Sequence, residues 1–390
     1  MKLFTNLGLT FGGLVLASLA ACGGGGGGGS PVAETGTLRM ALTDAPACGY
    51  DSVNITVEKV RVHQSSTASD SDAGWSEVAL APARRINLLN LTNGVLDELG
   101  QVPLPTGKYT QLRMILSDNT NATPLANSIK PTGSPEVALK TPSGQQSGVK
   151  ANINIDIAAN KLADFVIDFN ACKSVVVAGN SGQYLLKPIV TVIPRYISAV
   201  AGFVDSSLIN ANTSVSVQQN GVVVRATTPD SSGKFLLQPV APGNYTLVLT
   251  APGRATSAIT SVFVGTDTVT SVNASGTVLN PPASASGTAN GTAPVNTLVR
   301  AQQTLSSGTV IEVAGRYVDG ASGAYSYVLP VAAPFVAPYT ALPGTLVFTS
   351  DNAAAGKYSL RASLDGFADK VALLANLAAG AVITTNFTFP

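Results

Sequence analysis

The sequence predicts an all-β protein, built of antiparallel β-sandwich domains in tandem behind a flexible N-terminus. Three observations carry this expectation. Apolar residues recur with the strand period of two. The 38 glycines and 23 prolines punctuate those runs as turn residues do. Part of the chain also repeats itself further on. With 45% hydrophobic and 12% charged residues, against about 25% charged in ordinary soluble proteins, the chain is too apolar and too little charged for wholesale disorder. Its 390 residues are enough for two or three domains.

From the N-terminus, Lys2 precedes an uncharged stretch, Leu3 to Ala20, that carries Leu7, Leu9, Phe11, Leu14, Val15, Leu16 and Leu19. This is the apolar region of a secretory leader. Crossing a bilayer takes roughly 20 predominantly apolar residues, and Thr, Asn, Gly and Ser dilute this stretch. Residues 1–21 are therefore set aside as a signal peptide. Gly23 to Gly29 dominate the next segment, 22–35, a flexible tether that spans roughly 20 Å on average. Strand alternation begins with Leu38, Met40 and Leu42, set against Thr37, Arg39 and Ala41. It continues with Val53, Ile55 and Val57, and with Ile153, Ile155 and Ile157 against Asn152, Asn154 and Asp156. Such alternation means sheets with one solvated face. Val95–Leu99 alone invites a short helix.

The internal repeat organises the second half. Asn212-Thr213-Ser214-Val215 followed by Gln218-Gln219 returns as Asn296-Thr297-Leu298-Val299 followed by Gln302-Gln303. "DSSGKF" (230–235) returns as "DGASGAY" (319–325), and "PGNYTLVLTAPGR" (242–254) as "AGKYSLRASLDGF" (355–367). The spacing widens between the last two blocks, so the second copy carries an insertion near 330–352, around "PVAAPFVAPYTALPG" (330–344). Phe335, Tyr339 and Phe348 are large apolar groups set among prolines there, and they form the candidate interaction surface. The alternative is an added hairpin on the same domain. Each copy leads through a turn into a strand that starts at a tyrosine, Tyr245 or Tyr358. The hydroxyl there is placed to reach backbone, as in the tyrosine corner of sandwiches. The two copies are expected to fold independently.

Three resemblances add to this reading. Leu19-Ala20-Ala21-Cys22 resembles the bacterial lipobox, which implies cleavage before Cys22 and lipid on its sulfur. More than one acyl chain is needed for a lasting anchor, and a triacylated cysteine meets that need. Gly at position 23, where Asp would retain a lipoprotein in the inner membrane, implies the outer membrane of a Gram-negative cell, facing either the periplasm or the exterior. The D-x-x-G-x-F…P-G-x-Y-x-L pattern is similar to the carboxypeptidase regulatory-like module, a prealbumin-type seven-stranded sandwich. It covers 197–278 well and 279–390 loosely. "GTLRMALTDAPACGYDSVNITVEKVRVH" (36–63), "LPTGKYTQLRMIL" (104–116) and "LLKPIVTVIPR" (185–195) resemble the bacterial lipoprotein domain of unknown function 4382, assigned here to 36–196. Gly107–Leu112 echoes the G-x-Y strand of the later modules, which points to a third sandwich of similar kind.

With Cys22 lipidated, Cys48 and Cys172 remain as an even pair in an oxidising compartment and are expected to form a disulfide. Two buried thiols or a redox pair are the alternatives, although no C-x-x-C is present.

The inventory of chemistry is short. His63 is the only histidine, which excludes H-E-x-x-H and leaves a Ser-His-Asp triad dependent on a strand-end residue. Asp70, Asp72 and Gly74 miss the spacing of a calcium loop and read as a hairpin tip. Asp44, in "LTDAP", reads as a turn cap, with a cation site shared with Asp51 as the sharper alternative; no other metal candidate stands out. Trp75 is assigned to core packing. No glycine-rich loop joins a strand to a helix to cradle phosphate. The 23 basic and 22 acidic residues leave no footprint for nucleic acid. No cofactor is expected. The sequence thus favours a non-catalytic, membrane-anchored binding, adhesion or structural module of the cell envelope, with an envelope protein or polysaccharide as partner. A carbohydrate-binding module is one alternative. A hydrolase using two carboxylates held about 5–10 Å apart is the other.

Overall fold

The computed structural model describes residues 34–390, except 45–48, 143, 145, 146, 180, 181 and 211. The leader, Cys22, the glycine segment before Glu34, and Cys48 lie outside the described residues. The described chain is nearly all β and forms one compact unit. None of its helices is long and apolar enough to cross a membrane.

The first body comprises β1 (Thr35–Asp44), β2 (Tyr50–His63), β3 (Ser76–Asn87), β4 (Asp97–Pro105), β5 (Gly107–Leu116), β6 (Ser128–Pro131), β7 (Val137–Lys140), β8 (Val149–Ile157), β9 (Leu162–Phe169), β10 (Val175–Ala178), β11 (Gln183–Leu186) and β12 (Val190–Pro194). One sheet has the order β12-β9-β1-β4. The other runs β10-β11-β7-β6-β2-β5-β8, with β3 also paired to β2. The alternation read in "NINID" is realised in β8, where Ile153, Ile155 and Ile157 are buried and Asn152, Asn154 and Asp156 are exposed. Leu38, Met40 and Leu42 of β1 and Val53, Ile55 and Val57 of β2 meet in a single core between the sheets. Alternation lapses at Ala41–Asp44 and Asn54–Thr56, which are buried on both faces. Both stretches lie on interior strands covered from two sides.

Val95–Leu99 forms no helix. Asn93 and Gly94 adopt positive φ (56° and 77°) and turn the chain, after which Asp97–Leu99 enter β4 and pair with β1. The helical turn lies upstream, at Leu88–Leu91, capped by the Asn87 side chain. Pairing with a buried neighbouring strand outweighs the weak local helix preference.

The second body comprises β13 (Ala199–Phe203), β14 (Ser214–Gln219), β15 (Val222–Thr227), β16 (Lys234–Leu237), β17 (Gly243–Thr250), β18 (Ser257–Val264) and β19 (Val269–Ser271). The third comprises β20 (Ser286–Thr292), β21 (Leu298–Thr304), β22 (Val310–Tyr317), β23 (Ala324–Pro330), then β24 (Phe335–Pro338), β25 (Thr349–Ser350), β26 (Ser359–Ser363), β27 (Lys370–Leu373) and β28 (Val382–Thr384). The frameworks match strand for strand. Sheet β16-β13-β19 corresponds to β23-β20-β28, and β15-β14-β17-β18 to β22-β21-β26-β27. Each has the same parallel pair and a bulge at the same place, Val217/Gln218 in one and Ala301/Gln302 in the other. Gln218 faces Thr246, and Gln302 faces Ser359. The repeat seen as letters is therefore a repeat in hydrogen-bond register.

The insertion goes somewhere unexpected. It folds neither as a hairpin on its own sandwich nor as a free loop. It crosses to the second body, where β24 lies parallel against β18 and β25 closes antiparallel beside it. Pro334 and Pro338 bracket this four-residue strand and limit its length, as proline does at a sheet edge. Phe335 stacks on Phe348 at 4.8 Å, and Tyr339, Leu346 and Phe348 pack against the core of the second body. The large apolar residues that needed cover find it on the neighbouring repeat.

Candidate functional site

A cleft of about 620 Å³ opens where the three bodies meet. Its walls come from all three: Tyr50 and Val175–Val177 from the first, Ser214, Ser216, Gln218 and Val223 from the second, and Glu312–Tyr317 with Tyr325–Val328 from the third. The geometry grows from a short helix, α1 (Ala171–Ser174), at the end of β9. Asn170 caps it by accepting the Lys173 N–H at 3.0 Å, and Asp44 accepts the Ala171 N–H at 2.8 Å. So held, α1 aims Lys173 at Glu312 of β22. The two form an ion pair between nearly buried side chains, with Arg300 Nε 3.8 Å from the other carboxylate oxygen.

The backbone of Glu312 is bound by the second body. Its N–H donates to Gln218 Oε1 at 2.7 Å, and its carbonyl accepts from Gln218 Nε2 at 2.8 Å. The repeat partner Gln302 donates to the Gly221 carbonyl at 2.8 Å. Asn220 and Gly221 form the tight turn between β14 and β15, both with positive φ, as an Asn-Gly hairpin requires. A Cβ on Gly221 would sit 2.6 Å from Val310 Cγ1, so only glycine admits this approach of the third body.

A second polar lock joins the first two bodies. Arg225, buried on β15, pairs with Asp168 of β9 and donates to Thr43 Oγ1 at 2.7 Å. Asn93 donates through its N–H to Thr227 Oγ1 and accepts the Leu236 N–H, both at 2.9 Å. The third lock joins first and third bodies through Asp319, which accepts N–H bonds from Gly179 (2.9 Å), Ala321 (3.0 Å) and Ser322 (2.7 Å). Burial works to raise this carboxyl, but the backbone donors of Ser322, Ala321 and Gly179 outweigh it and hold the pKa at about 2. Burial likewise pushes Tyr325, on the cleft wall, up to about 12. Chemically the cleft offers apolar and aromatic surface beside the Lys173–Glu312 pair, Arg316 and Asp319.

The residues singled out in the sequence fall in several places. Cys172 sits on α1 at the cleft. Asp44 is buried and holds α1, while exposed Asp51 pairs with Lys130 at 3.1 Å, and Lys130 holds its carboxyl below the usual range. Among the described residues no group of three His, Cys, Asp or Glu is placed to hold a metal. His63 closes β2, accepts the Ser65 N–H and lies 5.1 Å from the Trp75 ring. Trp75 is half-buried, and the guanidinium groups of Arg61 and Arg113 lie 4.7 and 5.0 Å from its ring centre. Asp72 ties the 69–72 turn by accepting from Ser69. The tyrosine geometry is shared by the first two bodies: Tyr109 and Tyr245 each donate to the carbonyl four residues back, Pro105 and Ala241. Tyr358 reaches Pro330 instead, across the insertion. Phe335, Tyr339 and Phe348 are half-buried, away from the cleft. The locking residues Lys173, Arg225 and Glu312 went unnoticed in the sequence; only the repeated glutamines signalled the junction.

The fold and the junction define a tandem β-sandwich protein whose bodies are tied by buried polar pairs. Residues 35–188 match the domain of unknown function DUF4382, which takes in β1 to β11 of the first body. No curated protein matches the chain. Among solved structures, a cohesin–X-dockerin complex from Acetivibrio cellulolyticus is 23% identical over 22% of this chain, at a TM-score of 0.18; the match spans 58% of the length of that chain. The Bacillus anthracis TIE protein is 12% identical over 91% of this chain and 50% of its own, at a TM-score of 0.18. The streptococcal ancillary pilin is 11% identical over 90% of this chain and 99% of its own, at 0.13.

Proposed function

We propose that this protein is a non-catalytic lipoprotein of the bacterial envelope, held at the outer membrane through lipidated Cys22 and acting as a binding, adhesion or structural module. The observation that carries the reading is the junction. The ionisable groups buried there pair with one another across bodies, Lys173 with Glu312 and Arg225 with Asp168. They tie the sandwiches together, as suits a structural or binding module. The lipobox-like run before Cys22 supplies the anchor, and the low charge of the chain suits a spacer or adhesin better than a nucleic-acid binder. The test is expression of wild type and Cys22→Ser in a Gram-negative host with a palmitate analogue. Wild type takes up label and sediments with outer membranes, and the variant does neither. A Cys22→Ser chain that stays labelled and membrane-bound overturns the anchor. Glycan, peptidoglycan and envelope-protein arrays probed with the chain from Ser30 onward test the binding role, and turnover of any arrayed glycan overturns the non-catalytic reading.

A further inference from the structure

In the second body, Ser257, Ala258, Ile259 and Thr260 of β18 hold the strand Phe335–Pro338 in parallel register. The Phe335 N–H donates to the Thr256 carbonyl at 2.8 Å, and the Tyr339 N–H to the Thr260 carbonyl at 2.9 Å. The third body has the same edge. Leu247 faces Ile259 in one repeat as Leu360 faces Ala372 in the other, and Leu249 faces Ser257 as Ala362 faces Lys370. Residues 257–260 therefore correspond, one for one, to 370–373, which are the whole of β27.

This counterpart is open. β27 ends its sheet, and among the described residues no strand lies beyond it. Leu374 donates its N–H inward to the Tyr358 carbonyl at 3.0 Å, so alternation turns the N–H groups of Val371 and Leu373 outward. The two residues are 58% and 85% exposed, while Ala258, at the place of Val371, is fully buried. Leu305 and Ile311 of the third body and Val336 of the donated strand complete the cluster around Ala258. An unprotected edge with exposed apolar side chains is one that proteins ordinarily blunt or pair.

We propose that the outer edge of β27 is a strand-acceptor site, which takes an extended, proline-bracketed apolar segment of a partner protein in parallel register. The chemistry of the occupant follows from the equivalent edge, which holds Pro-Phe-Val-Ala-Pro. Main-chain hydrogen bonds supply affinity, and Val371 and Leu373 supply the apolar contact. A second copy of this chain is not the occupant, since its own Phe335–Pro338 is already seated and Ala337 there is buried. The inference rests on the reading of the protein as a binding module and names the partner's chemistry.

The test uses the chain from Ser30 onward, which keeps every described residue, and a synthetic peptide with the sequence of Ala333–Thr340. Amide hydrogen exchange is followed residue by residue, with no lipid or glycan present, so its failure is distinct from failure of the anchor or of glycan binding. At saturating peptide the amides of Val371 and Leu373 exchange about tenfold more slowly or better, and those of 257–260 are unchanged. Val371→Lys, at an exposed position, weakens binding about tenfold, and Leu373→Pro, which removes an outward N–H only, abolishes it. No slowing at 371 and 373 overturns the proposal. So does protection confined to 257–260, which means exchange with the internal strand. Concentration-dependent protection of 371 and 373 without peptide overturns it in favour of self-association.

Discussion

Gln218 binds Glu312 as a strand residue binds its neighbour: the side-chain amide accepts from the Glu312 N–H and donates to its carbonyl, at 2.7 and 2.8 Å. One side chain thereby continues the hydrogen bonding of the third body into the second. Both backbone groups are buried with it. Gln218→Ala leaves them unpaired, at about 1–3 kcal/mol for each unsatisfied group. The expected loss is about 2–4 kcal/mol in urea unfolding of the intact chain, larger than for Gln302→Ala, which orphans one carbonyl. Equal effects would sink the assignment.

The ion pair of Lys173 and Glu312 is expected to specify more than it stabilises. Removing one partner leaves an unpaired charge where both side chains are largely buried; Lys173→Met should cost about 3–5 kcal/mol. Arg300, at 3.8 Å from Glu312, places the effect toward the lower end. The double change Lys173→Met with Glu312→Leu should recover most of the loss. Denaturant midpoints of the four proteins in the cycle decide it, and additivity of the two single losses rules out the pairing.

Asp319 makes acid stability a property of the junction. Its carboxyl titrates at about 2 in the folded chain, below the usual value near 3.9. A depressed folded pKa contributes stability above the unfolded value, and that contribution is lost as pH falls through the folded one. The stability difference between wild type and Asp319→Asn should therefore be constant above pH about 5 and shrink between pH about 4 and 2. Melting temperatures of both proteins across that range test it, and a difference independent of pH refutes it.

The two repeats do not separate at their sequence boundary. A fragment of 197–278 lacks β24 and β25, which cover Ser257–Thr260 and the core beside Tyr339 and Phe348. It should melt less cooperatively than a fragment of 197–390. Deleting 331–352 from the full chain should speed amide exchange at 257–260, in the second body, more than in the third. Selective loosening of the third body would show that the insertion belongs to its own sandwich.

Cys48 and Cys172 are proposed to be bonded. Asp44 lies opposite Phe169 in the parallel pairing of β1 and β9, and its carboxylate holds the N–H of Ala171. The chain thus leaves β1 four residues before Cys48, beside the helix that carries Cys172. Intact mass and thiol alkylation of periplasmically folded protein should show no free thiol. Cys48→Ser with Cys172→Ser should cost about 2–5 kcal/mol. Two alkylatable thiols refute the bond.

The sequence by itself determined the strands and the repeat. Period-two alternation in β8 and the glycine-tyrosine starts of β5 and β17 are local, because a pleated strand shows alternate residues to opposite faces and a turn needs specific φ. The offsets between the repeated blocks agree with the register found in the structure, where Gln218 faces Thr246 and Gln302 faces Ser359. The tertiary structure alone decided what those strands meet. Lys173 and Glu312 lie 139 residues apart and Arg225 and Thr43 lie 182, and no local pattern distinguishes a charge that pairs across bodies from one that faces water. The seat of Phe335–Pro338 was equally hidden. Proline and exposed apolar side chains say that a segment needs cover, but the cover is chosen by which edge is open and near. Here that edge belongs to the preceding repeat.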